Sequence, residues 1–263
     1  MDSVVSPAFR LAASPDVVGA EVLDLVDEPV ILVANHSSHL DTPLLLSVLP
    51  RAMRDRTCVA AAADYFFDRT WKAHLFAFSL GAIPLERRKA NRSSAELAVR
   101  LVREGWNLLV FPEGGRTPDG WMQEMRGGAA YVAEHTGRPV VPAYLSGTYA
   151  MLPKGGQGLR RGSVRVLFGR PLEHRQGEDA RRLADRIFAE VAKLADESQS
   201  DWWAAARRAG SDTTPTPLGP DASEWRRAWS LPAASRPPAT RVCRSREGEG
   251  VERRSAGRSP WKD

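Results

Sequence analysis

His36 and Asp41 stand five residues apart in the stretch Asn35-His36-Ser37-Ser38-His39-Leu40-Asp41. On a regular helix that spacing would carry the two side chains apart. In a turn the chain can fold back, so that the carboxylate accepts from one imidazole nitrogen and leaves the other free as a base. A carboxylate partner fixes the tautomer of such a histidine and stabilises the imidazolium formed when it takes a proton. A positioned base of this kind is worth roughly 10²–10⁴-fold in rate. The sequence contains no Gly-x-Ser-x-Gly, and neither Cys58 nor Cys243 has a histidine beside it. The pair is therefore read as activating a hydroxyl of the substrate rather than a serine or cysteine of the protein. Taken alone, the same residues also allow two other readings. One is a buried structural pair; the other, with His39, is part of a metal site, because two histidines and a carboxylate are usable ligands.

The surrounding chain must place these residues at the end of a strand. Residues 29–34 are a short apolar run rich in β-branched side chains, the mark of a strand buried on both faces. Asp41-Thr42-Pro43 reads as a helix start, with Asp41 or Thr42 as N-cap and Pro43 in the first helical position, where its missing N–H costs nothing. Pro50 closes that helix. Further strands are expected at 57–62, at 81–87, where Pro84 restricts the strand to an edge or an irregular position, and at 106–111, 139–145 and 163–168. Helices are expected from the Ser93/Glu96 capping box to Gly105, over 127–136 with Gly137 as its stop, and over about 178–195, where Leu183, Ile187, Val191 and Leu194 recur at helical spacing. Beyond the aromatic residues 65–67, the stretch 71–78 is expected to pack in the core or to form a wall of an acyl-chain groove. Residues 8–28 hold only a weak candidate element at 20–26. Strand and helix patterns alternate throughout, which predicts an α/β fold: a layered mixed sheet flanked by helices, with functional loops at strand ends.

Composition bounds the rest. The chain's 263 residues are 43% apolar, enough for one catalytic domain over 8–200. Beyond it, 201–231 reads as a short helical extension rich in Trp and Arg, with a Pro/Thr/Gly linker at 211–220. From 232 the chain is Arg-, Ser-, Pro- and Gly-rich and is expected to be disordered. Two distant cysteines suit a reducing compartment. The first residues do not resemble a signal peptide, and no stretch reaches the roughly 20 apolar residues that span a bilayer, so membrane contact is expected to be peripheral, on the cytoplasmic face. A formal charge of +5 and a pI near 9.5 favour anionic partners. No zinc finger, RNA-recognition sequence or basic dimerisation helix is present, and nucleic acid is not an expected partner.

Four pieces in order then line up: the stretch from Asn35 to Asp41, Gly81-Ala82-Ile83-Pro84-Leu85-Glu86-Arg87, Phe111-Pro112-Glu113-Gly114-Gly115-Arg116-Thr117, and Val141-Pro142-Ala143-Tyr144-Leu145. Together they resemble the four sequence blocks of the glycerolipid acyltransferase family that includes the 1-acylglycerol-3-phosphate acyltransferases. The resemblance covers roughly 29–170. It implies a histidine, here His36 oriented by Asp41, that deprotonates a glycerol hydroxyl, which attacks an acyl thioester on coenzyme A or acyl carrier protein without an acyl-enzyme. It implies acceptor binding by Arg87, Glu113, Gly114 and Arg116, with no metal and no cofactor beyond the acyl thioester co-substrate. Guanidinium groups suit a phosphate, and a glycine lets backbone N–H groups approach an anion. Glu113 is expected to orient an arginine or to accept from the acceptor hydroxyl.

The expected activity is acyl transfer to a lysophospholipid, foremost 1-acylglycerol-3-phosphate, giving phosphatidic acid. Another lysophospholipid or glycolipid acceptor, a non-catalytic lipid-binding protein and a metal-dependent hydrolase are the alternatives. Two departures from the family pattern stand out. Gly115 occupies a position where the family often has Thr or Ser, and the N-terminal membrane helix of many bacterial members is not seen, so membrane access is expected from an apolar and basic surface. Trp202, Trp203, Trp225 and Trp229, set near arginines, suit a headgroup region; for Trp202 and Trp203, packing back onto the domain is the other reading.

Overall fold

The computed structural model describes residues 15–27, 29–62, 82–85, 92–156, 158–232 and 235–236. Seven strands form one sheet in the order β1-β7-β6-β2-β5-β3-β4. They are β1 (Asp16–Val18), β2 (Ile31–Ala34), β3 (Thr57–Ala62), β4 (Ala82–Leu85), β5 (Asn107–Val110), β6 (Val140–Ser146) and β7 (Arg165–Phe168). Neighbours are parallel except β6 and β7, which makes the sheet mixed, as expected. Pro84 lies on β4, which is indeed an edge strand, where a missing N–H breaks no ladder.

Alternation along the central strands builds two apolar layers. Leu32, Ala34, Leu109, Val141 and Ala143 face one side, where α1 (Asp41–Val48) and α2 (Arg51–Asp55) bring Leu44, Leu45 and Met53. Ile31, Val33, Leu108 and Val140 face the other, against α3 (Arg92–Arg103), α4 (Gly128–Thr136) and α6 (Ala180–Gln199), which supply Val102, Ala133 and Leu183. Both faces are therefore covered, and the central strands need no polar side. Two buried asparagines lock the register. Asn107 Oδ1 accepts from Val30 N at 2.8 Å, and Asn35 exchanges both of its amide bonds with the backbone of Leu145 at 2.7 and 3.0 Å.

The helix after the His36 turn begins differently from expectation. Its N-cap position is Leu40, and Asp41 is already helical because its carboxylate points back into the turn instead of capping. Pro43 therefore sits third in the helix. Residues 15–27, given no firm element from sequence, hold β1 and a 3-10 turn, Ala20–Leu25; β1 is three exposed residues with no apolar pattern, and its pairing with β7 defines it. A four-residue helix, α5 (Thr148–Met151), follows β6 and was not expected. Gly137 closes α4 in the left-handed region, as expected.

Past α6, α7 (Trp202–Gly210) is capped by Asp201, and Arg208 donates to both oxygens of Asp196 on α6 at 2.6 and 2.8 Å. The expected linker at 211–220 is instead a packed strap. Met122 N donates to Pro217 O, and Gly219 lies against the Trp121 ring, where a Cβ would collide with the indole. The last described helix is α8 (Glu224–Ser230). Trp202 and Trp203 meet edge to face at 4.7 Å and remain exposed, contrary to packing onto the domain. Most of the tail from 232, the aromatic stretch 65–78 and Arg87 lie outside the described residues.

Candidate active site

The carboxyl ends of β2, β5 and β6, three adjacent central strands, meet at one place. Ligand sites in open α/β sheets gather at such ends. His36 follows β2, the Glu113 loop follows β5, and Ser146 to Thr148 follow β6.

His36 Nδ1 lies 2.9 Å from Asp41 Oδ2, with the imidazole 17% exposed and the carboxylate fully buried. The same Oδ2 accepts from Ser37 N at 2.6 Å and Ser38 N at 2.7 Å. Three donors on one oxygen fix the carboxylate in the turn, while Oδ1, also buried, has no partner among the described residues. An ionised carboxylate only accepts, so Nδ1 carries its proton and Nε2 presents a lone pair. The Phe111 ring stacks on the imidazole at 4.2 Å between centroids. Orientation of the ring is thus set on two sides.

The backbone of His36 is clamped by the loop after β5. Glu113 Oε1 accepts from His36 N at 2.7 Å, and Thr117 N donates to His36 O at 2.9 Å. Glu113 Oε2 accepts from Gln123 N at 2.9 Å, and Gln123 Nε2 donates to Gly115 O at 3.0 Å. Glu113 is buried, and its partners are two backbone amides rather than the arginine or acceptor hydroxyl expected from sequence. Burial pushes its carboxyl up to about 8, against the pull of the two amides and with a small push from Asp41. The third contact is lateral: Ser37 Oγ and Thr148 Oγ1 are 2.9 Å apart, and Ser38 Oγ donates to Leu152 O at 2.8 Å. Thr148 is held there by Gly147, which has φ 86° and no room for a Cβ, because the Ser163 carbonyl oxygen occupies that space.

Arg116 lies near the turn, partly buried. Desolvation, then the Arg116 charge and then the His36 charge, lower the His39 pKa to about 4, with Asp41 opposing. His39 is therefore neutral at physiological pH. Gly114 has φ 71°, a conformation that favours glycine, and the Arg126 guanidinium packs over its Cα. Lys154 Nζ donates to Arg116 O at 3.4 Å. Among the described residues, the site therefore gathers Arg116, Arg126 and Lys154 around the Gly114 loop.

Of the residues singled out from sequence, His36, Asp41, Glu113, Gly114 and Arg116 come together here. Arg87 lies outside the described residues. Sequence reasoning missed Phe111 as the platform of the imidazole, although it stood in the third block. It also missed Thr117, Gln123 and Thr148, whose contacts join residues far apart in the chain and leave no local pattern. Arg126 was not singled out either.

The same loop is gripped from the C-terminal side. Asp119 Oδ1 accepts from Thr117 Oγ1 and Trp121 N, and its Oδ2 accepts from Arg227 Nε at 2.6 Å. Arg227 also donates to Pro220 O and Leu218 O, and its own carbonyl accepts from Trp121 Nε1 at 2.9 Å. Burial works to raise the Asp119 carboxyl, but Arg227 and Thr117 more than offset it and hold the group below its ordinary value. Leu231 is buried beside Gly120 and Tyr149.

This geometry can be set beside known proteins. A family model described as Acyltransferase matches residues 14–146. The chain is 30% identical over 190 residues to the chloroplastic 1-acyl-sn-glycerol-3-phosphate acyltransferase BAT2 of Brassica napus, covering 68% of this chain and 50% of that protein. It is 29% identical over 199 residues to 1-acyl-sn-glycerol-3-phosphate acyltransferase alpha of Bos taurus, covering 73% and 65%. The chain spans about half the length of the plant and algal relatives it matches. A crystal structure of PlsC, the 1-acyl-sn-glycerophosphate (LPA) acyltransferase of Thermotoga maritima, superposes with a TM-score of 0.61 at 24% identity, covering 74% of this chain and 77% of that one. The fold is therefore that of PlsC. The family match runs from β1 through β6 and takes in more than half the chain, the His36 turn and the loop that clamps it included, so this chain belongs to the acyltransferase family.

Proposed function

We propose that this chain transfers a fatty acyl group from an acyl thioester, on coenzyme A or acyl carrier protein, to the free hydroxyl of 1-acylglycerol-3-phosphate. The observation that carries the reading is the imidazole of His36 at a strand end, held through Nδ1 by a buried carboxylate at 2.9 Å, with its other nitrogen unbonded among the described residues. Nε2 takes the proton of the acceptor hydroxyl as the oxygen attacks the thioester carbonyl. The C–O bond forms, the C–S bond breaks, and the imidazolium returns its proton to the departing thiolate. Asp41 stabilises that imidazolium and prevents the ring from rotating.

Arg116 and Arg87 hold the acceptor phosphate, with Gly114 keeping the loop backbone open toward it. Glu113 serves the same site from below, fixing the His36 N–H and the loop together. The acceptor is a lipid, so the protein works at the cytoplasmic face of a membrane as a peripheral protein. No helix among the described residues is long and apolar enough to cross one. The relatives' names support the choice of acceptor.

The test is thiol release from a long-chain acyl-CoA, with and without lysophosphatidic acid and with a chelator present. The wild type should release thiol only with the acceptor, and His36→Ala should lose that release while melting like the wild type. Unchanged activity in His36→Ala would sink the mechanism.

A further inference from the structure

α8 is unlike the other helices among the described residues. None of its residues is buried, and seven residues are too few to hold a helix together in water. Its inward side is Arg227 alone, bonded to Asp119, Leu218 and Pro220. On its outward side Trp225 and Trp229, one turn apart, are 63% and 77% exposed. The Arg226 guanidinium lies 5.1 Å from the Trp225 ring centroid, and Arg236 donates to the carbonyls of Trp229 and Leu231.

Indole rings flanked by guanidinium groups match the zone of a bilayer where hydrocarbon gives way to phosphate. A short apolar contact alone binds weakly, and stable attachment takes a second signal such as a basic segment. The chain supplies one: residues 237–263 carry six arginines and one lysine against four carboxylates. That continuation favours an anionic lipid surface over a protein partner or a second copy of this equally basic chain.

We propose that α8 is the face by which this protein lies on an anionic bilayer. Trp225 and Trp229 enter the headgroup region, and Arg226 and Arg236 face lipid phosphates. Arg227 ties that contact through Asp119 to the loop of Arg116, so that a lipid acceptor arrives next to the site. The last point rests on the acceptor being a lysophospholipid; the surface itself does not.

The experiment is co-sedimentation of the full chain with vesicles of phosphatidylcholine alone and of phosphatidylcholine mixed with phosphatidylglycerol. The wild type and His36→Ala should sediment with the mixed vesicles and much less with phosphatidylcholine alone. The W225S/W229S variant should stay in the supernatant while melting as the wild type does, and R226S/R236S should lose part of the preference for the mixed vesicles. Sedimentation of W225S/W229S equal to the wild type overturns the proposal. So does a wild type that ignores both vesicles, including one that pairs with a second copy through the same tryptophans. Vesicle binding without acyl transfer would leave the surface standing and remove the proposed function; transfer to a short-chain soluble acceptor without vesicle binding would do the reverse.

Discussion

The turn that carries His36 and the strap that ends in α8 are both tied down across long stretches of chain, yet by opposite chemistry. In the turn, buried carboxylates accept from backbone N–H groups: Asp41 from Ser37 and Ser38, Glu113 from His36 and Gln123. In the strap, partly exposed arginines donate: Arg208 to Asp196, Arg227 to Asp119 and two carbonyls. Backbone donors have nowhere else to go once buried, so the turn holds one arrangement. Guanidinium groups near the surface compete with water and salt, so the strap can yield. The proposed chemistry falls on the rigid half and the outward-facing tryptophans on the yielding half.

Asp41→Asn should break the rigid half most deeply. The amide can still accept from the turn's N–H groups, but it loses the charge that stabilises the imidazolium and turns an NH₂ toward the unpartnered Oδ1 position. We expect kcat to fall by roughly 10²–10⁴-fold and stability by about 1–3 kcal/mol, read from steady-state kinetics and a denaturant melt. Gly147→Ala attacks the same half from the side. The new Cβ would meet a backbone carbonyl that cannot move alone, so a large loss of melting temperature is expected, with activity lost in proportion.

Glu113→Gln sharpens the comparison through pH. The Glu113 carboxyl rises from an ordinary value of 4.5 to about 8 on burial. Its contribution to stability is full below 4.5, is lost steadily as pH climbs to about 8, and changes no further above that. The Gln variant has no such proton, so its melting temperature should vary less with pH across that window. It also leaves one of two backbone amides without an acceptor, a cost of about 1–3 kcal/mol.

Arg227→Ala should have the smallest effect, about 1–2 kcal/mol or less at this partly exposed position. Hydrogen exchange should quicken in residues 117–123 and 217–231 and not in the His36 turn, and added salt should move the wild type in the same direction. Equal quickening at His36 would mean the two regions are one unit.

The parts of this molecule legible in its sequence are those with local causes. Apolar runs announced β2, β3, β5, β6 and β7, Asp201 and Gly137 marked helix ends, and Pro84 marked an edge. His36 and Asp41 were legible because their partnership closes within one turn. Glu113 was visible as a conspicuous residue but not as a backbone clamp, since its partner His36 is brought beside it by the sheet's strand order rather than by spacing. β1, the packed strap at 217–220 and the Phe111 platform share that cause: each depends on a neighbour supplied from elsewhere in the chain.

The same strand order has a consequence for how the protein is made. β5 enters the sheet between β2 and β3, both synthesised earlier, and the contacts that hold His36 and its neighbours span 77, 110 and 111 residues. Pairings so distant must meet the cost of closing large loops before they return any stability. A nascent chain that has emerged only as far as β5 therefore carries His36 and Asp41 but lacks Leu145 and Thr148 to seat them. Competence waits for β6, whose docking closes the third side of the turn.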